Sequence, residues 1–114
     1  MLIRAVDAVT EPSIHNTPKQ VFLRGGVLPG VTQVATATLD AGVEIEPHAH
    51  PTMYEVYYVL AGRAVYHVGD EEYDVGPGDF IVVPPRTRHY QTVLEGPHRI
   101  FYWGICEPNA TPVR

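Results

Sequence analysis

Hydrophobic positions in this chain come in short runs interleaved with polar ones. No segment repeats them every three to four residues over several turns, so the pattern predicts strands and no amphipathic helix. "VTQVATATL" at 31–39 is rich in β-branched residues, and "MYEVYYVLAG" at 53–62 is a β-branched and aromatic run that Gly62 is expected to end. "RAVYHV" and "YDV" read as a hairpin that turns at Gly69 and Asp70. "GPGD" at 76–79 reads as a tight turn feeding "FIVVP", and "HYQTVL" and "RIFYWGI" as the last two strands. Residues 1 to about 20 and the tail from about 107 to 114 read as an arm and a tail. Short strands punctuated by eleven prolines and ten glycines predict an all-β antiparallel sandwich or barrel, with one face of each strand inward.

Alternation leaves one choice of face open. In "RAVYHV" either Arg63, Val65 and His67 face inward or Ala64, Tyr66 and Val68 do. The second set is the more core-like and leaves His67 exposed, whereas the first would make His67 a candidate acid or base.

Composition narrows the function classes. A length of 114 residues suits one domain with one core, and hence one site. With 45% hydrophobic and 18% charged residues the chain is globular rather than disordered. No apolar run reaches membrane-spanning length and the N-terminus carries no signal-peptide pattern, so no membrane partner and a cytoplasmic location are expected. The net charge of -5, with a single lysine (Lys19) and no basic stripe, argues against a nucleic-acid partner. The single cysteine, Cys106 in "YWGIC", excludes an internal disulfide or a thiolate cluster and is expected to be buried and inert.

Against this background one stretch, "GVEIEPHAHPTMYEVYYVLAG" at 42–62, carries chemistry. Strand side chains alternate faces, so His48 and His50 point the same way from one extended segment and can hold one ion together. After a Pro51-containing turn, Glu55 opens the next strand and can return a carboxylate to the same place, with Tyr57 following on its face. A fourth candidate, His89, comes after "PPRTR" and starts a strand whose inward partners are Gln91 and Val93. Three imidazoles and a carboxylate suit one divalent ion of intermediate softness: Mn, Fe, Co, Ni, Cu or Zn. Four protein ligands on an octahedral ion leave two positions for water or substrate oxygens.

These residues resemble the first motif of the cupin superfamily: glycine, five residues, His-x-His, three or four residues, glutamate, six residues, glycine. Gly42, His48, His50, Glu55 and Gly62 match every fixed position. The second motif is matched by Gly78, Pro84 and His89, while Arg86 stands where the family has glycine and Val93 where it has asparagine. A side chain at Arg86 disfavours the positive φ of a glycine turn. The resemblance spans residues 42–93 and implies a cupin jelly-roll barrel, a double-stranded β-helix of two packed sheets, often dimeric. It also implies a metal near one mouth, with His48, His50, Glu55 and His89 as ligands.

Other residues carry weaker signals. Tyr57, His67 and Gln91 are the candidate proton-transfer or orienting groups, and Gln33 could line the cavity as a neutral hydrogen-bonding group. Arg86 and Arg88 flank His89 and could attract a carboxylate-bearing substrate, and Phe101 or Trp103 could stack a planar one. His15 and His98 sit in polar, loop-like stretches and read as surface or hydrogen-bonded residues. The expected function is a metal-dependent enzyme acting on a small polar, metal-chelating substrate, by oxygen-dependent cleavage or by isomerase or lyase chemistry. The alternatives are a non-catalytic metal-containing cupin that binds a small ligand and a barrel whose ion is only structural. A homodimer is expected, with "KQVFLRGGVL" adding a strand to a neighbouring sheet.

Overall fold

The computed structural model describes residues 1–12 and 18–108. A 3-10 turn at Ala5–Asp7 precedes seven strands: β1 (Val9–Pro12), β2 (Pro18–Leu23), β3 (Val31–Leu39), β4 (Met53–Val68), β5 (Glu71–Val75), β6 (Phe80–Val83) and β7 (His89–Cys106). They form an antiparallel sheet in the order β1-β2-β3-β7-β4-β5, with β6 also paired to β4. The all-β expectation holds, and β3 occupies the expected residues.

Two boundaries differ from the expectation. Gly62 does not end a strand, because β4 continues through it to Val68 at φ 75°. A Cβ on Gly62 would lie 2.5 Å from the carbonyl oxygens of Glu95 and Pro97, so glycine lets two backbones meet at a kink. Likewise "HYQTVL" and "RIFYWGI" are one strand, β7, which stays paired to β4 from Met53↔Cys106 to Val68↔His89. Register shifts between Val59 and Ala64 bend the pair without breaking it. Arg63 clasps this bend from outside, 2.7 Å from Asp74 and 3.3 Å from Glu95.

The bend folds the sheet into two facing halves whose inner side chains form the core. Tyr57, Val59 and Ile100 from one half pack with Ala64, Tyr66 and Val68 from the other. The open choice of face in 63–68 is thereby decided: Ala64, Tyr66 and Val68 are buried. Burial of such side chains contributes about 1.5–3 kcal/mol each. A smaller cluster of Leu39, Ile45 and Val93 seals one region of the core.

The expected N-terminal arm is part of the sheet, since β1 pairs with β2 from Val9↔Val21 to Pro12↔Pro18. This corrects the reading of "KQVFLRGGVL" as a free edge: β2 lies between β1 and β3 and its hydrogen-bonding groups are already used. Residues 109–114 of the expected tail and His15 lie outside the described residues. Cys106 is half-buried rather than buried. No described helix is long and apolar enough to cross a membrane.

Candidate metal centre

The site is built where three segments meet. Extended residues 48–50 bridge to the start of β7, with His48 N–H donating to His89 O (3.0 Å) and His89 N–H donating to His48 O (2.8 Å). Glu55 comes from the start of β4, whose burial alternation puts Met53, Glu55 and Tyr57 inside while Tyr54 and Tyr58 stay exposed.

The turn before His89 also adopts the conformation that the family pattern reserves for glycine. Arg86 has φ 59°, against expectation. The cost of about 1–2 kcal/mol for a side chain in this region is offset by local bonds. Arg86 N–H donates to His50 O (2.7 Å), its Nη1 donates to Pro51 O (2.7 Å), and its Nη2 sits 2.8 Å from Glu107. Its guanidinium thus ties the two motif loops together.

One ligand atom from each of His48, His50, Glu55 and His89 lies within 4.8 Å of the other three. The ring centroids of His48 and His89 are 4.2 Å apart, and His50 is 5.1 and 5.3 Å from them. The hydrogen bonds fix the tautomers of two rings. His48 Nδ1 donates to Glu46 O and His89 Nδ1 to Thr87 O, both at 2.9 Å, because a carbonyl can only accept. In the neutral ring the Nε2 of His89 is therefore left as an unprotonated acceptor, the form a metal binds. His89 Nε2 is buried without a hydrogen-bond partner, at 3.5 Å from Glu55 Oε1. An orphaned acceptor in an otherwise satisfied interior fits a metal ligand, and the N3O donor set suits a divalent ion of intermediate softness.

Burial raises the pKa of the Glu55 carboxyl, but hydrogen bonds from His50 and its other neighbours outweigh that and hold it well below the usual carboxylate range. Tyr57 donates its hydroxyl to Glu55 Oε1. Burial and the Glu55 charge push the Tyr57 pKa well up, so the phenol stays protonated as a donor.

The other sequence candidates are placed as follows. Gln91 is buried on the face of His89 and lies across from Tyr66. His67 is on the opposite face, stacked on Tyr90 at 4.1 Å and 3.2 Å from Glu72, so it is not brought to the cluster. Gln33 is buried but taken up by Lys19 (2.7 Å) and Glu11 (3.4 Å). Arg88 is exposed. Phe101 and Trp103 pack on each other at 5.4 Å on the outer face, since the inner positions of that stretch are Tyr102 and Gly104.

Sequence reasoning missed a second polar centre. His98, expected in a loop, is fully buried in β7. Its Nδ1 donates to Ala61 O (3.1 Å) and its Nε2 accepts from the Tyr66 hydroxyl (2.9 Å). The polar surroundings "EGPHR" masked it, and only the bend of β7 brings it inside.

Comparisons with known proteins agree with this geometry. The cupin domain model matches residues 35–100. An acireductone dioxygenase of Exiguobacterium sibiricum is 37% identical over 67 residues, covering 54% of this chain and 37% of that protein. The chain spans 55% and 37% of the lengths of the two curated relatives it matches. The structure of KdgF from Halomonas sp. superposes with a TM-score of 0.80 at 17% identity, covering 96% of this chain and 97% of that one. The nucleoside dehydratase Pac13 superposes with a TM-score of 0.75 at 22% identity, covering 93% and 82%. The barrel, the motif spacing and the match over more than half of its residues show that this chain belongs to the cupin domain family.

Proposed function

We propose that this protein is a metal-dependent enzyme acting on a small polar molecule that chelates the ion through adjacent oxygens. The observation that carries this reading is the convergence of His48, His50, Glu55 and His89 around the orphaned Nε2 of His89. A bound divalent ion (Mn, Fe, Co, Ni, Cu or Zn) would supply Lewis-acid polarisation of a substrate oxygen or, if redox-active, oxygen chemistry.

The chain's own residues prepare that site in three ways. The Glu46 and Thr87 carbonyls orient His48 and His89 and fix their protons on Nδ1. Tyr57 donates to Oε1 of Glu55, the oxygen that faces His50 and His89, and so fixes the orientation of the carboxylate. Gln91, two residues after His89 on the same buried face of β7, adds a neutral polar group to the interior. The set of three neutral imidazoles and one carboxylate would leave a divalent ion net positive, suited to an enediolate, a keto acid or a catecholate. The acireductone dioxygenase relative supports oxygen-dependent cleavage, and the dehydratase with the same fold supports lyase-type chemistry.

A non-catalytic, metal-containing ligand-binding cupin is the second reading. It is favoured by the state of Tyr57, which is already committed to Glu55 and held protonated, so it does not serve as a base. Elemental analysis of protein purified without added metal, beside His48→Ala, tests both. About one equivalent of a transition ion, lost in the variant, supports the site. Turnover of a panel of α-keto acids, α-hydroxy ketones and catechols, with oxygen uptake followed, then supports the enzyme, and binding without turnover supports the second reading. No metal even after reconstitution overturns both.

A further inference from the structure

Lys19, the single lysine of the chain, lies inside the protein. It pairs with Ala37, which pairs in turn with Ile100, and both partners belong to the buried core, so Lys19 enters on the inner face and is 6% exposed. Its Nζ donates to Gln33 Oε1 at 2.7 Å, four residues along β3 from Ala37, with the small Ala35 between. The ammonium is thereby carried toward the row of the metal centre. β3 bulges there: Thr32 and Gln33 together oppose Gly104, the residue between Trp103 and Ile105, and both are buried. Gly104 in turn pairs with Glu55. Gln33 and Glu55 are therefore two strands apart on one inner face, roughly 10 Å at the usual strand spacing, and Gly104 between them carries no side chain.

The neighbours of Lys19 leave its charge available. Glu11 is 3.7 Å away, beyond hydrogen-bond distance, and both of its carboxylate oxygens are held by Arg24, at 3.1 and 2.7 Å. The Gln33 amide bridges the two residues, accepting from Lys19 and donating its Nε2 to Glu11 Oε1 at 3.4 Å. Two cations thus share one carboxylate. Burying an ammonium is costly, and an apolar side chain would fill the same space without that cost. A cation kept there suits a ligand of opposite sign.

We infer that Lys19, oriented by Gln33, binds a second carboxylate of the substrate, whose other end chelates the ion; the substrate class is a short-chain α-hydroxy or α-keto dicarboxylic acid. This rests on the chelation reading above and adds the distal anionic group. The span agrees, because a gap of this order, less a metal–oxygen contact of about 2 Å and an ammonium–carboxylate contact of about 2.8 Å, is the length of a chain of about four or five carbons. The charge agrees too. An ion held by three imidazoles and one carboxylate keeps a positive charge, Lys19 and Arg24 outnumber Glu11, and a dianion complements both centres.

Isothermal titration of the Zn-loaded full chain with 2-hydroxyglutarate and with 2-hydroxyvalerate, the same carbon chain without the distal carboxylate, tests this. The wild type is expected to bind the dicarboxylate about 10- to 100-fold more tightly, the scale of one charge-assisted contact. Lys19→Met should erase that preference while keeping the metal content and the affinity for 2-hydroxyvalerate, and Lys19→Arg should keep part of it. A merely structural lysine would move both affinities together or neither. Should Lys19→Met misfold, the wild type still decides: with carbon-13 at lysine Cε, the single lysine resonance should shift on adding the dicarboxylate and not on adding 2-hydroxyvalerate. Equal wild-type affinities for the two acids, a preference unchanged in Lys19→Met, or a lysine resonance that ignores the dicarboxylate would each overturn the inference and leave the chelation reading standing. Failure of both acids to bind protein that holds its ion would overturn the inference and the chelation reading together.

Discussion

His89 and His98 lie on the same strand, both face the barrel interior and both are buried, yet they do opposite things. His98 has both ring nitrogens engaged, one donating to Ala61 O and the other accepting from Tyr66. His89 has one nitrogen engaged by Thr87 O and the other bare, among two further imidazoles and a carboxylate. Burial therefore does not distinguish a ligand from a structural histidine. What distinguishes them is whether the protein itself satisfies the second nitrogen, because an unsatisfied buried acceptor costs about 1–3 kcal/mol that only a bound partner recovers.

The sharpest way to break this contrast is to remove each ring and weigh the metal. His89→Ala should lower metal affinity by well over 100-fold, since losing an outer partner alone costs about 10–100-fold, and should leave the purified protein near zero equivalents. His98→Ala should retain the ion, and equal loss in both variants would erase the distinction. Stability should show the reverse order. In the metal-free protein His98→Ala should cost about 3 kcal/mol, from a cavity and a stranded Tyr66 hydroxyl. His89→Ala should cost less, because deleting an unsatisfied acceptor partly offsets the cavity and the lost bond to Thr87, and urea unfolding of the two variants measures the difference.

A finer test concerns the tyrosine partnered with each centre. Tyr57→Phe should weaken metal binding about 10-fold, or 1.4 kcal/mol, by releasing Glu55. Tyr66→Phe should leave metal affinity unchanged, and competition titration with a chromogenic chelator reads both. The smallest effect is pH-linked. Burial lowers the His98 pKa from its ordinary value, with the Ala61 bond partly opposing it. Below about 6.5 the unfolded chain takes up a proton that the folded His98 resists. Stability from this group is thus complete above that pH and is lost as pH falls toward the lowered folded value. The wild-type melting temperature should therefore fall faster than that of His98→Gln on acidification from pH 7 to 5, and parallel curves would show that His98 contributes nothing.

Much of the site was legible because its chemistry is local. His48, His50 and Glu55 fall within eight residues, so period-two alternation and donor type suffice to group them. Arg86 shows where local rules mislead: its residue type argues against positive φ, and bonds to His50, Pro51 and Glu107 override that preference. Gly62 likewise reads as a strand terminus in isolation but permits a close backbone crossing inside one long strand.

The sequence by itself determined the β class and a ligand set chosen by spacing and donor chemistry. Only the tertiary structure decided that β4 and β7 run unbroken through their bend, that His98 is interior, that His67, Phe101 and Trp103 face outward, and that His89 meets the three earlier ligands. The physical reason is range. Alternation and turn preference act over a few residues, whereas strand register joins positions far apart in the chain, and its hydrogen bonds carry no residue-specific signature to read.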